Sequence, residues 1–412
     1  MSGRFSHVLR QLGRRVWARA VLFTTLAVVF ALIAGLIGNA LPESTFPFDI
    51  GQDSVGTILQ IIATSMLAVT TFSLTTMVTA YSSATTTATP RASLLLIEDS
   101  TSQNALSLFL GAFTFSLVGI IALSTGYYGD RGRTILFLGT LLVVALIVVT
   151  LLRWIAHLTN FGRMADVIDR VEEAASSTLR AYATSPTLGA RAWEGRAPKG
   201  AAIVAPATGY VVSIDLAMIE RAAVAADTTV MIEAMPGHDV DIATPVAWSP
   251  SSDAELTRAV QAALVIEAHR DFTQDPRLGV IALSEIGSRA LSPSTNDPGT
   301  AIDVIAALHR VFVDLVTADA EPDLVHPHVY VRAPRLEDLV IDAFRPLARD
   351  GAGHIEVQIR LQKCLAALAR VAPSERRVFK RAADQARELA SDVLGRTHSN
   401  ELRAIHRRLW SA

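Results

Sequence analysis

The sequence predicts a membrane α-helical protein, with four transmembrane helices followed by a cytoplasmic α+β region built from a small β-sandwich-like module and a helical array. Three observations predict it. Half of the 412 residues are hydrophobic and only 18% are charged, against roughly 25% charge in an ordinary soluble domain. Four stretches are free of Asp, Glu, Lys and Arg: Ala20–Leu41, Ser54–Tyr81, Gln103–Tyr128 and Thr134–Leu152. Arginines collect on one side of these stretches, which fixes a direction of threading.

Each stretch is long enough for the roughly 20 apolar residues that a helix needs to cross the hydrocarbon. Lipid offers no partner to an open backbone, so helices are the expected form. The first stretch is expected to be a retained span, since Gly35, Gly38 and Asn39 lead into Leu41-Pro42 without a small-x-small cleavage pattern. Arg4, Arg10, Arg14, Arg15 and Arg19 precede it, whereas the first loop holds only Glu43, Asp49 and Asp53. Arg91 lies in the second connection, and Arg153 and Arg163 follow the fourth span; Arg131 and Arg133 in the third loop are the exception. The positive-inside balance places both termini in the cytoplasm. The expected divisions are a basic N-terminus (1–19), the spans (20–152), a juxtamembrane helix and linker (153–200), a β-rich module (201–250) and a mostly helical region (251–412).

The second span carries the unusual chemistry. On a 100° helical wheel Thr64, Thr71, Thr75, Thr79, Ser82 and Thr86 share one sector, with Met66, Leu67, Leu74, Met77 and Val78 on the far side. Two readings are open. The hydroxyls can bond their own i−4 carbonyls and let helices pack closely. Alternatively, copies of this helix surround a wet pathway for an ion or small polar solute. Four helices enclose little, so the second reading requires a homo-oligomer. No charged residue lies inside a span, so the usual marker of a proton relay is missing, which weakens active transport more than passive conduction. Gly35, Gly38, Gly111, Gly119 and Gly139 read as close-packing positions.

After the fourth span the helix is expected to run on without a break through the 153–183 stretch, because Val167, Val171, Ala174 and Ala175 face away from Asp166, Arg170 and Glu173. A Pro/Gly/Arg-rich loop follows at Ser185–Lys199. Strands are expected at Ala201–Ala205, Tyr210–Ile214, Thr229–Ala234 and Val246–Trp248, with a helix at Leu216–Ala225. This pattern resembles the β-sandwich of biotinyl, lipoyl and adaptor proteins. Carriers of that kind need a hairpin lysine, and Lys199, Lys363 and Lys380 all lie outside the module, so an interaction role is expected. Ser252 or Asp253 caps a helix through His269. Further helices are expected at Leu278–Ala290, Gly299–Thr317, Leu336–Arg349, Ile355–Val371, Glu375–Leu394 and Asn400–Trp410, with a strand at His328–Arg332.

Two passages, FSLTTMVTAYSSATTTATPRASLLLIEDSTSQNALSLFLGAFTFSL (72–117) and DPRLGVIALSEIGSRALSPSTNDPGTAIDVI (275–305), carry a resemblance. With TGYVVSID between them, the chain resembles the bacterial membrane-protein family known as domain of unknown function 2254. It departs where that family usually has glutamines before the Pro-Arg pair, here threonines before Pro90-Arg91. The resemblance implies four spans and a cytoplasmic domain, and it supplies no reaction.

Other candidate sites are sparse. Asp297 is placed to cap the helix that Pro298 begins. With Glu285, Arg289, Asn296 and Asp303 it forms a candidate polar effector site for a cation or small molecule; Glu285 and Arg289 also suit a simple i,i+4 ion pair. His326 and His328, near Glu321 and Asp323, fall short of a zinc ligand set. No phosphate loop, HExxH or nucleophile elbow occurs, so no catalytic residue, metal or cofactor is expected. The lone Cys364 excludes an internal disulfide, and a net charge of −2 gives no reason to expect a nucleic-acid partner. The run Arg376, Arg377, Lys380 and Arg381 reads as a solvated helix face, with membrane-surface contact as the alternative.

Overall fold

The computed structural model describes residues 16–40, 52–193, 200–319 and 323–411. Arg4, Arg10, Arg14, Arg15, Leu41, Pro42, Glu43, Asp49, Lys199 and Glu321, on which expectations above rest, lie outside the described residues. The chain divides into two compact units: one of 7–84 and 93–163, the other of 1–6, 85–92 and 164–412.

The first unit holds four helices long and apolar enough to cross a membrane. They are α1 (Val16–Ala40), α2 (Gln52–Thr87), α4 (Ser100–Ser124) and α5 (Asp130–Leu158), with the short α3 (Pro90–Ile97) between the second and third. Large apolar side chains such as Leu22, Phe72 and Leu152 are more than half exposed, as lipid contact requires. Inside, close approach depends on missing side chains. A Cβ on Gly139 would lie 2.4 Å from the Phe30 ring, and one on Gly35 would lie 2.2 Å from the Tyr127 ring. Polar groups in the packing find partners: Tyr128 Oη donates to Ala31 O at 2.6 Å, and Trp154 Nε1 donates to Ser73 Oγ at 2.9 Å. Asp99, 8% exposed, caps α4 by accepting from Ser102 N at 2.7 Å and meets His157 Nε2 at 3.0 Å. This carboxylate fastens the start of α4 to the end of α5.

The fourth span does not continue unbroken. Helix α5 stops at Leu158 and α6 (Met164–Thr184) begins anew, because Gly162 takes φ +75°, a left-handed conformation that ends helices.

The second unit mixes helices and two sheets. Its strands are β1 (Ala190–Ala192), β2 (Ala201–Val204), β3 (Gly209–Ile214), β4 (Val230–Ile232), β5 (Asp239–Val240), β6 (Pro245–Ser249), β7 (Leu264–Glu267) and β8 (His326–Val331). The five-stranded sheet runs β1-β8-β4-β6-β2, with β8 parallel to β1 and β4, and the three-stranded sheet runs β5-β3-β7. The sheets therefore draw strands from outside 201–250. Strand β1 falls in the stretch expected to be loop, held extended by its pairing with β8. The helix expected to reach His269 ends at Ala263 (α8, Ala254–Ala263), because Leu264-Val265-Ile266 is a strand-forming run that pairs with β3. Helix α7 (Leu216–Ala225) covers a core that includes Ile203, Val211, Ile219, Val230 and Val329.

The helical array follows as α9 (Leu278–Ala290), α10 (Pro298–Thr317), α11 (Leu336–Asp350), α12 (Ile355–Val371), α13 (Arg376–Ser391) and α14 (Arg396–Trp410). Phe312 and Phe344 meet at 5.3 Å between α10 and α11. Within this array Cys364 is buried, and burial pushes its thiol pKa up to about 12.

At the junction of sheets and array, Asp275 is 1% exposed. Its Oδ1 accepts from Arg277 N (3.0 Å), Leu278 N (3.2 Å) and Arg270 Nη2 (2.9 Å), and its Oδ2 accepts from Arg270 Nε at 2.6 Å. Gly237, at φ +94°, lies against this carboxylate; a Cβ there would come within 2.7 Å of it.

Candidate functional site

Helix α2 is 36 residues long, about 54 Å at 1.5 Å per residue, well beyond the roughly 30 Å hydrocarbon. Its buried positions are Val55, Leu59, Ile62, Met66, Ser73, Met77 and Ala84. At 100° per residue these centre on one side of the helix, and Thr64, Thr71, Thr75, Thr79, Ser82 and Thr86 centre roughly 180° away. All six hydroxyl residues are exposed. Of the apolar residues expected opposite them, Met66 and Met77 are buried, whereas Leu67, Leu74 and Val78 are each at least 50% exposed and form shoulders. The ridge is therefore turned away from its own subunit's packing.

The hydroxyl protons have a common destination. Thr64, Thr71, Thr75 and Thr79 donate to Gln60 O, Leu67 O, Thr71 O and Thr75 O at 2.9–3.0 Å. The i−4 bonding expected of such residues is present, and it coexists with exposure rather than with helix packing. The ridge also extends further than the sequence reading took it. Thr57 and Gln60 are exposed two turns and one turn before Thr64 on the same side of the helix, and their spacing of seven and four residues was the available signal. The Gln60 amide has no hydrogen-bond partner among the described residues.

Residues 85–92 group with the second unit, and Arg91 Nη1 donates to Glu285 Oε1 on α9. Glu285 is thus paired with a residue 194 positions away, and no hydrogen bond or ion pair links it to Arg289 among the described residues. Asp297 caps α10: its Oδ1 accepts from Thr300 N at 3.0 Å and its Oδ2 from Thr300 Oγ1 at 2.6 Å, bonds that hold the carboxyl below its usual pKa. Asn296 takes φ +49° in the turn before it. Arg289 and Asp303 are exposed on α9 and α10. Among the described residues no hydrogen bond or ion pair links the side chains of the five effector candidates, and Asp297 serves the cap of α10.

His328 is likewise engaged locally, with Nδ1 2.7 Å from Glu220 Oε1 and its backbone N–H donating to Glu220 Oε2 at 2.9 Å. A groove of about 1000 Å³ lies between α6 and α10, lined by Asp169, Glu172, Glu173, Arg180, His309, Arg310 and Asp314. Arg180 pairs with Asp314, and Arg310 with Glu172, both at 2.6 Å. Burial, then Arg360 and Arg310, lower the His309 pKa.

The family described as a predicted membrane protein, DUF2254, matches residues 13–367. An uncharacterized protein of Mycobacterium bovis and two of Mycobacterium tuberculosis are each 26% identical over 242 residues. The match takes in 55% of this chain and 46% of each relative, so the chain spans under half the length of these curated relatives. No solved structure matches the chain.

Proposed function

The chain belongs to the DUF2254 family of predicted membrane proteins, and from that premise we propose that it assembles as a homo-oligomer enclosing a passive pathway for an ion or small polar solute. Helix α2 lines the pathway, and the second unit assembles or gates it. No reaction is part of this reading. The observation that carries it is the hydroxyl ridge, which stands opposite the face that α2 uses for packing within the subunit. A ridge of this length facing lipid leaves the Gln60 amide unsolvated, an expensive placement for a polar group. The same ridge turned to a central axis meets water or its own copies. Gating is supported by the Arg91–Glu285 pair, which joins the helix exit to α9. In this reading both termini lie in the cytoplasm of a bacterial inner membrane, supported by Arg4, Arg10, Arg14, Arg15 and Arg19 preceding the first span in the sequence.

Single-channel recording of the reconstituted full chain tests this. The expected result is unitary current from a verified oligomer, reduced by Thr71→Trp and by Thr75→Trp. An oligomer that passes no current, or one indifferent to both substitutions, refutes the pathway.

A second reading is a non-conducting, membrane-anchored sensor or scaffold. The groove between α6 and α10 favours it, since it presents both signs of charge in a space of ligand size. An effector that raises the unfolding temperature of the full chain, with no current under any condition, distinguishes this reading from the first.

A further inference from the structure

We propose that the pathway passes cations in preference to anions; the inference rests on the reading that the α2 ridge is hydrated. Two independent observations carry it.

The first is the direction of the hydroxyl bonds. A threonine hydroxyl has one proton and two acceptor lone pairs. At Thr64, Thr71, Thr75 and Thr79 that proton is bound to a carbonyl of the same helix at 2.9–3.0 Å. What remains for a passing solute is oxygen lone pairs. A cation, or the outward-turned protons of its hydration water, is stabilised by such oxygens. An anion needs N–H or O–H donors, and these levels of the wall offer none unless a helix bond is broken. Gln60 is the exception, its amide carrying both kinds of group.

The second is the charge of the approach. Between Arg19 and Arg91 the sequence contains no lysine or arginine, and Glu43, Asp49 and Asp53 are its charged residues. Each copy in an assembly adds three carboxylates and no cation between these positions, a charge balance that favours cations. Arg131 and Arg133 belong to α5 rather than to the ridge helix, and Arg133 is paired with Asp130. At the other end, the first cation past the ridge is Arg91, whose charge is offset by Glu285. With no charge inside the spans, discrimination comes from dipoles and the mouth, and it should be moderate.

The test is the reversal potential of the reconstituted full chain under a KCl gradient. The expected result is a shift toward the potassium equilibrium potential, with K⁺ favoured over Cl⁻ by about fivefold or more. Thr71→Val with Thr75→Val keeps the volume and removes the oxygens, and should bring the ratio down toward unity; the Thr71→Ser, Thr75→Ser chain should retain it. Asp49→Asn with Asp53→Asn should lower the current at low salt and leave it unchanged at high salt. Current that reverses at zero or favours chloride overturns the cation proposal and leaves the pathway intact. A selectivity ratio unmoved in the valine chain overturns the role of the hydroxyls. No current from a verified oligomer overturns both the proposal and the pathway.

Discussion

Replacing Asp275 by asparagine isolates one charge at the junction of the second unit. Asparagine keeps an Oδ1 that still accepts from Arg277 N and Leu278 N, so these two backbone bonds at the start of α9 survive. Its amide, however, turns N–H groups toward Arg270 Nε, where the carboxylate accepted at 2.6 Å. Removing one partner of a buried ion pair costs roughly 3–5 kcal/mol. Arg270 retains 17% exposure against 1% for Asp275, so water reaches the stranded guanidinium and the lower end applies, about 3 kcal/mol. For a unit of this size each kcal/mol moves the midpoint by roughly 2–4 °C, so a fall of about 6–12 °C is expected. Asp275→Ala also loses the acceptor of those two backbone N–H groups and should cost about 1 kcal/mol more. The assay is thermal unfolding of the detergent-solubilised full chain, followed by near-ultraviolet circular dichroism. In an Arg270→Met background the Asn substitution should be far milder, because no stranded charge remains. An Asn variant that melts within about 1 °C of the parent, or an effect undiminished in the Met background, refutes the reasoning.

Three further expectations follow from the same contacts. The His238 pKa is lowered by burial first and by Arg277 next, and its Nδ1 accepts from Met235 N at 3.4 Å; the His309 pKa is lowered by burial and by neighbouring arginines. Below about pH 6.5 the unfolded chain binds more protons at these histidines than the native chain does, so stability should fall as pH drops through that value. Melting at pH 7.5 and 5.5 checks the sign, and His238→Gln with His309→Gln should flatten the slope. Asp297→Ala should destabilise by about 0.5–2 kcal/mol and Asp297→Asn by much less, read from denaturant midpoints. Because its carboxyl is held below the usual range by Thr300, the cap's charged contribution is present above about pH 3.9 and lost as acid protonates it. Arg91→Glu should change unfolding by under about 1 kcal/mol, since the pair is exposed. It should nonetheless shift channel open probability, and Glu285→Arg in the same chain should restore it.

The membrane half was legible because one rule dominates there: a charge-free run of span length has to be helical, and all four such runs are. In the second unit, local chemistry served where it was decisive, as at α7, whose limits follow from Asp215 capping Met218 N and from the apolar period behind it. It failed where distant pairing decided. Residues 190–192 have no strand signature and are extended because β8 lies beside them. Val265 and Ile266 fit a helical face and a strand equally well, and β3 settles the choice. Gly162 breaks a helix that no proline marks. At the candidate site the hydroxyl sector could be read from spacing alone, and its outward direction could not, since that depends on where Val55, Leu59 and Met66 find their neighbours. The partner of Glu285 was beyond any local rule, because Arg91 belongs to another part of the chain.

The buried thiol at Cys364 makes the rest of the molecule chemically silent toward thiol reagents. A cysteine placed anywhere on the surface would be the one reactive sulfur, with no background to subtract and no native thiol to delete. Walking such a sulfur along Thr64, Thr71, Thr75 and Thr79 and exposing it to a membrane-impermeant methanethiosulfonate would map wetness position by position. Labelling needs water to form the thiolate, so the rate profile along α2 distinguishes a solvated lumen from a greasy exterior without any electrical recording.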